Sequence, residues 1–176
     1  MISQIYEVPG IKNTIKLIDL EYLNSLPDPS KKIETDVCLK TGGFYSTPQG
    51  IVVLNDVCVL MSKDNIMAIL YHEDAHLQLG HFTHEVVKEG SVIIDNLASE
   101  LEADAYAANI VGNSVMAAAI IELIQSLAKV MACIKPKFLA DTMAKSMVGH
   151  QTTQKRLLAL NFNLPGDLIG QSPIAK

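Results

Sequence analysis

Five consecutive residues, His72-Glu73-Asp74-Ala75-His76, place two imidazoles four positions apart with a carboxylate beside the first. Residues four apart on an α-helix share a face, so both rings can reach one ion while Glu73 reaches a water on it. A zinc ion with three protein ligands keeps a fourth position open, brings that water's pKa toward neutrality and polarises a carbonyl. Glu73 would take the water's proton and pass it to a leaving amine, the part of a general base. Zinc, one ion per chain, is the expected metal, because two imidazoles, one carboxylate and a water are its usual catalytic set.

Two histidines do not complete such a site, so a third ligand is expected on another element. Glu100 is the best candidate, 24 residues after His76 and far enough along for a loop and a returning helix. Asp104 follows one helical turn later, where it could accept a hydrogen bond from the free ring nitrogen of a ligand histidine. Glu102 falls on the opposite side of that helix and reads as a solvated charge. The three-histidine pattern HExxHxxGxxH is not met: Leu79 stands at the glycine and Phe82 at the last histidine. His81, about half a turn off the shared face, and His84, past the helix end, read as surface histidines. Tyr71 and Tyr106 adjoin motif residues, and their rings are assigned to packing rather than to an intermediate.

The elements that must carry these groups can be read around them. Ile11, Ile15 and Ile18 stand at helical spacing before the break at Leu26 to Ser30, which predicts a short helix in an otherwise poorly defined segment 1–35. Two β-rich runs then flank Thr47-Pro48-Gln49-Gly50, a turn sequence, so a hairpin is expected with Ile51 to Leu54 as its second strand. Ser62 or Asp64 caps a helix running to about Gly80, which carries the HExxH residues. The stretch from His81 to Asp95 reads as a connection. Asp95 or Asn96 opens a second helix that ends at Gly112. A helix from Ser114 to Ile134, a break at Pro136, further helix, and a helix entered at His150 complete the pattern, with a loop tail over 163–176.

Beyond the spacing, three stretches resemble one known group. GFYSTPQGIVVLNDVCVLMSKDNIMAILYHEDAHLQLGH, then SELEADAYA, then HQTTQKRLLAL are similar to the glutamate-zincin peptidases of the HtpX heat-shock protease and CAAX prenyl endoprotease families, in a minimal soluble form. The likeness spans roughly Gly43 to Leu160, with HExxH and ExxAD in order as its specific part. It implies a zincin-like fold, Glu100 as zinc ligand, Asp104 supporting a ligand, and a short helix over Asp56 to Met61. It also implies that Ile51, Val52, Val53 and Leu54 form an edge strand receiving the substrate backbone by β-addition. His150 and Arg156, in the late element, would steady the oxyanion or the cleft. Gln151 replaces that element's usual proline, and Arg156 reads equally as a structural ion-pair partner.

Composition narrows the rest. At 176 residues, 49% hydrophobic and 19% charged, the chain suits one globular domain and not disorder. The net charge of −5, with its 14 Lys and Arg scattered, offers no stripe for phosphates, so nucleic acid is excluded as a partner. Cys38, Cys58 and Cys133 are odd in number and far apart, which fits a reducing, cytoplasmic compartment, and Cys58 reads as core. No secretory signal is visible at the N-terminus. Glu122, Gln125, Ser126 and Lys129 form a polar stripe through Val115 to Ile134, which marks a core helix and not a membrane span. The expectation is therefore an α+β, zincin-like, mostly helical domain with a small sheet before the active-site helix, hydrolysing a protein or peptide. Two rivals remain: a non-catalytic binding module on a peptidase fold, and a hydrolase of cell-wall peptides.

Overall fold

The computed structural model describes residues 8–28, 35, 37–38, 41–81, 97–133 and 149–162. Strand β1 (Ile15–Ile18), helix α1 (Leu20–Ser25), strands β2 (Phe44–Thr47) and β3 (Gly50–Leu54), and helix α2 (Asn55–Cys58) come first. Helices α3 (Lys63–Gln78), α4 (Leu97–Val111), α5 (Asn113–Cys133) and α6 (Gly149–Ala159) follow, an α+β arrangement dominated by helix. The expected connection 82–95, the caps at Asp95 and Asn96, the helical stretch after Pro136 and the tail 163–176 lie outside the described residues.

The hairpin forms as its turn sequence predicts. Thr47 pairs with Gly50, leaving Pro48-Gln49 as a two-residue loop, and the Thr47 hydroxyl donates to the Gly50 carbonyl at 2.9 Å. Gly50 has φ +132°, and a Cβ there would stand 2.3 Å from the Thr14 carbonyl oxygen. Only glycine lets the preceding chain come that close, and the Ile51 N–H uses the approach to donate to that same carbonyl at 2.8 Å.

That contact starts a third strand which spacing alone misassigns. Ile15 and Ile18 belong to β1, not to a helix, and pair in parallel with Ile51 and Leu54 of β3. Both are buried, so sheet pairing and burial override a local three-residue spacing that fits either structure. The helix begins only after Asp19, whose carboxylate accepts from the Tyr22 N–H at 2.6 Å as an N-cap.

The strand order is β1-β3-β2. Strand β3 is thus the middle of the sheet and not an edge: Ile51, Val52, Val53 and Leu54 have backbone partners on both sides, with no place for an added strand. Helix α2 follows β3 directly but ends at Cys58, and turns through Val59 to Met61 lead to α3. Cys58 is partly buried against the core, which pushes its thiol up to about 12.

Helix α3 lies between the sheet and α4 and α5. Buried Ala68 and Ile69 of α3 share one core cluster with Phe44, Ile51 and Val53 of the sheet and with Ala107, Met116, Ala117 and Ile120 of α4 and α5. The alanines let the helix axes approach. A carboxylate from α5 caps α3: Glu122 accepts from the Ser62 N–H and hydroxyl, both at 3.0 Å, and from Asn65 at 2.7 Å. Further along the expected polar stripe, Ser126 is buried and donates to the Leu60 carbonyl. Among the described residues no helix is long and apolar enough to cross a membrane.

Candidate metal centre

The five motif residues occupy the last two turns of α3, and four of them are anchored by a different part of the chain. His72, Glu73 and Asp74 are buried, and His76 is half-buried. The two histidine Nε2 atoms face each other at 3.1 Å. From α4, Glu100 presents one carboxylate oxygen 3.4 Å from His72 Nε2 and the other 3.2 Å from His76 Nε2. Ligands about 2.0–2.1 Å from a tetrahedral zinc ion lie roughly 3.3–3.4 Å apart, so the donors stand close to the edges of such a tetrahedron. His72, His76 and Glu100 are the one group among the described residues that could hold a metal ion in this way.

The groups behind these donors are also fixed. Asp104, one turn beyond Glu100, brings Oδ1 to 2.9 Å from His72 Nδ1. The ring N–H is not aligned with that oxygen, and Nδ1 makes no directed hydrogen bond, so the contact is electrostatic. Arg156 from α6 holds Asp104 instead, donating from Nε and an η nitrogen to its two oxygens at 2.7 Å each. Its other η nitrogen lies 2.9 Å from Glu100. Arg156 is therefore a clamp on both carboxylates of α4. The His150 side chain lies outside the described residues, as does His84.

Burial alone would lower the His72 pKa, but Asp104 and Glu100 outweigh it and, against the opposing charge of Arg156, raise it to about 9 in the metal-free protein. Burial would raise both carboxylates. The contacts of Glu100 with His72 and His76, and of Asp104 with Arg156 and His72, prevail and hold both below the usual carboxylate range. In the metal-free protein Glu100 and Asp104 face the Arg156 guanidinium and the protonated His72, and a divalent cation at His72 Nε2 would take the place of that proton.

Three sets of contacts escaped the sequence. Ser46 in β2 donates to Glu73 Oε2 at 2.6 Å and lies 2.8 Å from the Glu73 carbonyl, tying the proposed base to the sheet. Strand alternation was the available signal, since Ser46 shares a face with buried Phe44. Asn13 donates to buried Asp74 at 2.7 Å, and Tyr71 donates to the Pro9 carbonyl at 2.9 Å. The segment before β1 is thereby docked on α3, where composition had suggested little structure. Tyr71 thus makes a structural hydrogen bond, while Tyr106 is exposed.

The third concerns His81. Its side chain is only 10% exposed, not a surface group, and its Nδ1 lies 3.0 Å from Nδ1 of His76. Its Nε2 lies 3.1 Å from Glu102, whose side chain is 68% exposed as expected but is not merely solvated. Extending α3 through residue 81 gave the wrong direction, because the helix stops at Gln78 and the chain reverses at Gly80.

The chain matches no protein-family model, and comparison with curated proteins and with solved structures finds none similar to it. The functional reading therefore rests on the residues and their geometry.

Proposed function

We propose that this protein is a zinc-dependent metallopeptidase in which His72, His76 and Glu100 hold the ion and Glu73 is the general base. One observation carries the reading: two unblocked imidazole nitrogens and a carboxylate converge from two helices at tetrahedral edge distances. With both imidazoles neutral, as a metal ligand requires, lone pairs so directed repel one another unless a cation lies among them. When bound, zinc would supply Lewis acidity toward a carbonyl and acidify a water. Glu73 would take a proton from the attacking water and return it to the leaving amine, with the Ser46 hydroxyl orienting its carboxylate.

An extended peptide laid along β2, the outer strand that carries Ser46, passes beside Glu73. The substrate is a protein or peptide met in the cytoplasm, in keeping with the resemblance to glutamate-zincin peptidases.

Elemental analysis of purified wild type, Glu100→Ala and Glu73→Gln, with a fluorogenic peptide library run beside it, tests this. About one zinc per chain in wild type and Glu73→Gln, loss of metal in Glu100→Ala, and hydrolysis by wild type alone are expected. Wild type without zinc, even after zinc is supplied, refutes the metal site. Zinc binding with no peptide cleavage leaves a binding module.

A further inference from the structure

We infer that Glu102, His81 and His76 form a directional hydrogen-bond relay that sets the tautomer and ring orientation of His76 for metal binding. This rests on the metal-site reading above and adds a positioning residue, His81, to it. If Nε2 of His76 is to present a lone pair to an ion, the ring proton must sit on Nδ1. Among the described residues the group within reach of that Nδ1 is His81 Nδ1 at 3.0 Å, which must then accept. A neutral His81 that accepts at Nδ1 carries its own proton on Nε2, and that nitrogen lies 3.1 Å from a Glu102 oxygen, which can only accept when ionised. With a lone pair on His76 Nε2, one arrangement of protons satisfies these contacts: His76 donates to His81, and His81 donates to Glu102.

The backbone independently builds this arrangement. The Leu79 N–H bonds the Ala75 carbonyl at 2.8 Å and the His81 N–H bonds the His76 carbonyl at 3.0 Å, with Gly80 between them at φ +67°. This is the Schellman reversal that ends a helix through a left-handed glycine. In that motif the residue after the glycine folds back over the residue five before it. Here those two residues are His81 and His76, and their rings meet edge to face with centroids 5.0 Å apart. The helix terminator is thus also the device that supports a ligand.

The test is zinc affinity, read by competition with a chromophoric chelator, for wild type, His81→Ala, His81→Gln and Glu102→Gln. Loss of the supporting group should weaken zinc binding by about 10- to 100-fold in His81→Ala. His81→Gln, whose amide oxygen can still accept, should recover part of that, and Glu102→Gln, which keeps an acceptor in an exposed place, should lose less than His81→Ala. Wild type and His81→Ala binding zinc equally would overturn the relay while leaving the metal site standing; wild type binding no zinc would overturn both. Long-range ¹H–¹⁵N spectra of the imidazoles in zinc-loaded wild type decide the point without any variant. His81 protonated at Nε2 and His76 at Nδ1 are expected, and His81 protonated at Nδ1 alone would refute the relay.

Discussion

Replacing Arg156 with methionine should destabilise the metal-free protein severely. Its guanidinium makes three contacts of 2.7, 2.7 and 2.9 Å with Asp104 and Glu100, whose side chains are only 2% and 12% exposed. Methionine keeps an apolar stem of similar reach but leaves both buried carboxylates without the guanidinium. Removing one partner of a buried ion pair costs about 3–5 kcal/mol, because the remaining charge stays desolvated. With a urea slope of roughly 2 kcal/mol/M, that lowers the unfolding midpoint by ~1.5–2.5 M. The assay is urea denaturation at pH 7 after chelator treatment, on wild type, Arg156→Met, Arg156→Lys and Arg156→Met combined with Asp104→Asn. Lysine, a point charge, cannot reproduce the two parallel bonds to Asp104 and should recover only part of the loss. Neutralising Asp104 as well should make the double variant less unstable than the sum of the single losses. An Arg156→Met midpoint within ~0.3 M of wild type would refute the clamp, since no buried pair of this kind could be so inexpensive to break.

Two further outcomes follow from the same contacts. In the metal-free protein the His72 pKa is raised above its ordinary value of 6.5 to about 9, so its stabilising contribution is complete below pH 6.5 and is lost as the pH rises through 9. Denaturation of chelated protein across that interval should show a loss on the order of 3 kcal/mol, and stability that is flat or rising there would contradict the ion pairing of His72 with Asp104 and Glu100. Ser46→Ala should leave zinc content unchanged, because Ser46 touches no ligand, while lowering kcat/KM for peptide cleavage about tenfold through loss of a hydrogen bond to a charged group. An unchanged rate would show that Glu73 needs no support from the sheet.

What could be read from the sequence follows from the range of the interaction concerned. The HExxH helix, the hairpin turn and the ExxAD helix are set by local spacing and turn chemistry, and α3, the β2–β3 hairpin and α4 appear where spacing puts them. That Glu100 and Asp104 both approach His72 was legible in the same way: one turn of helix separates them, and two histidines call for a third donor on another element. The topology was not, because nothing within residues 15–18 records that Ile15 will pair with Ile51, and that parallel pairing moves β3 from the edge to the centre. His81 was missed through a local error. Gly80 was read as the end of the helix, but the reversal it imposes was not carried one residue further.

The arrangement makes the site a sensor of the whole fold. Asp74 is held by the segment before β1, Glu73 by β2, His72 faces α4 across Asp104, and His76 rests on the turn after α3. Arg156 brings in α6 through the carboxylates that His72 and His76 face. No two of these supports come from the same element, so the donor geometry requires the sheet, the N-terminal segment and the helical layer to be assembled together. The converse holds by linkage: an ion that binds only the assembled donors stabilises every element that positions them.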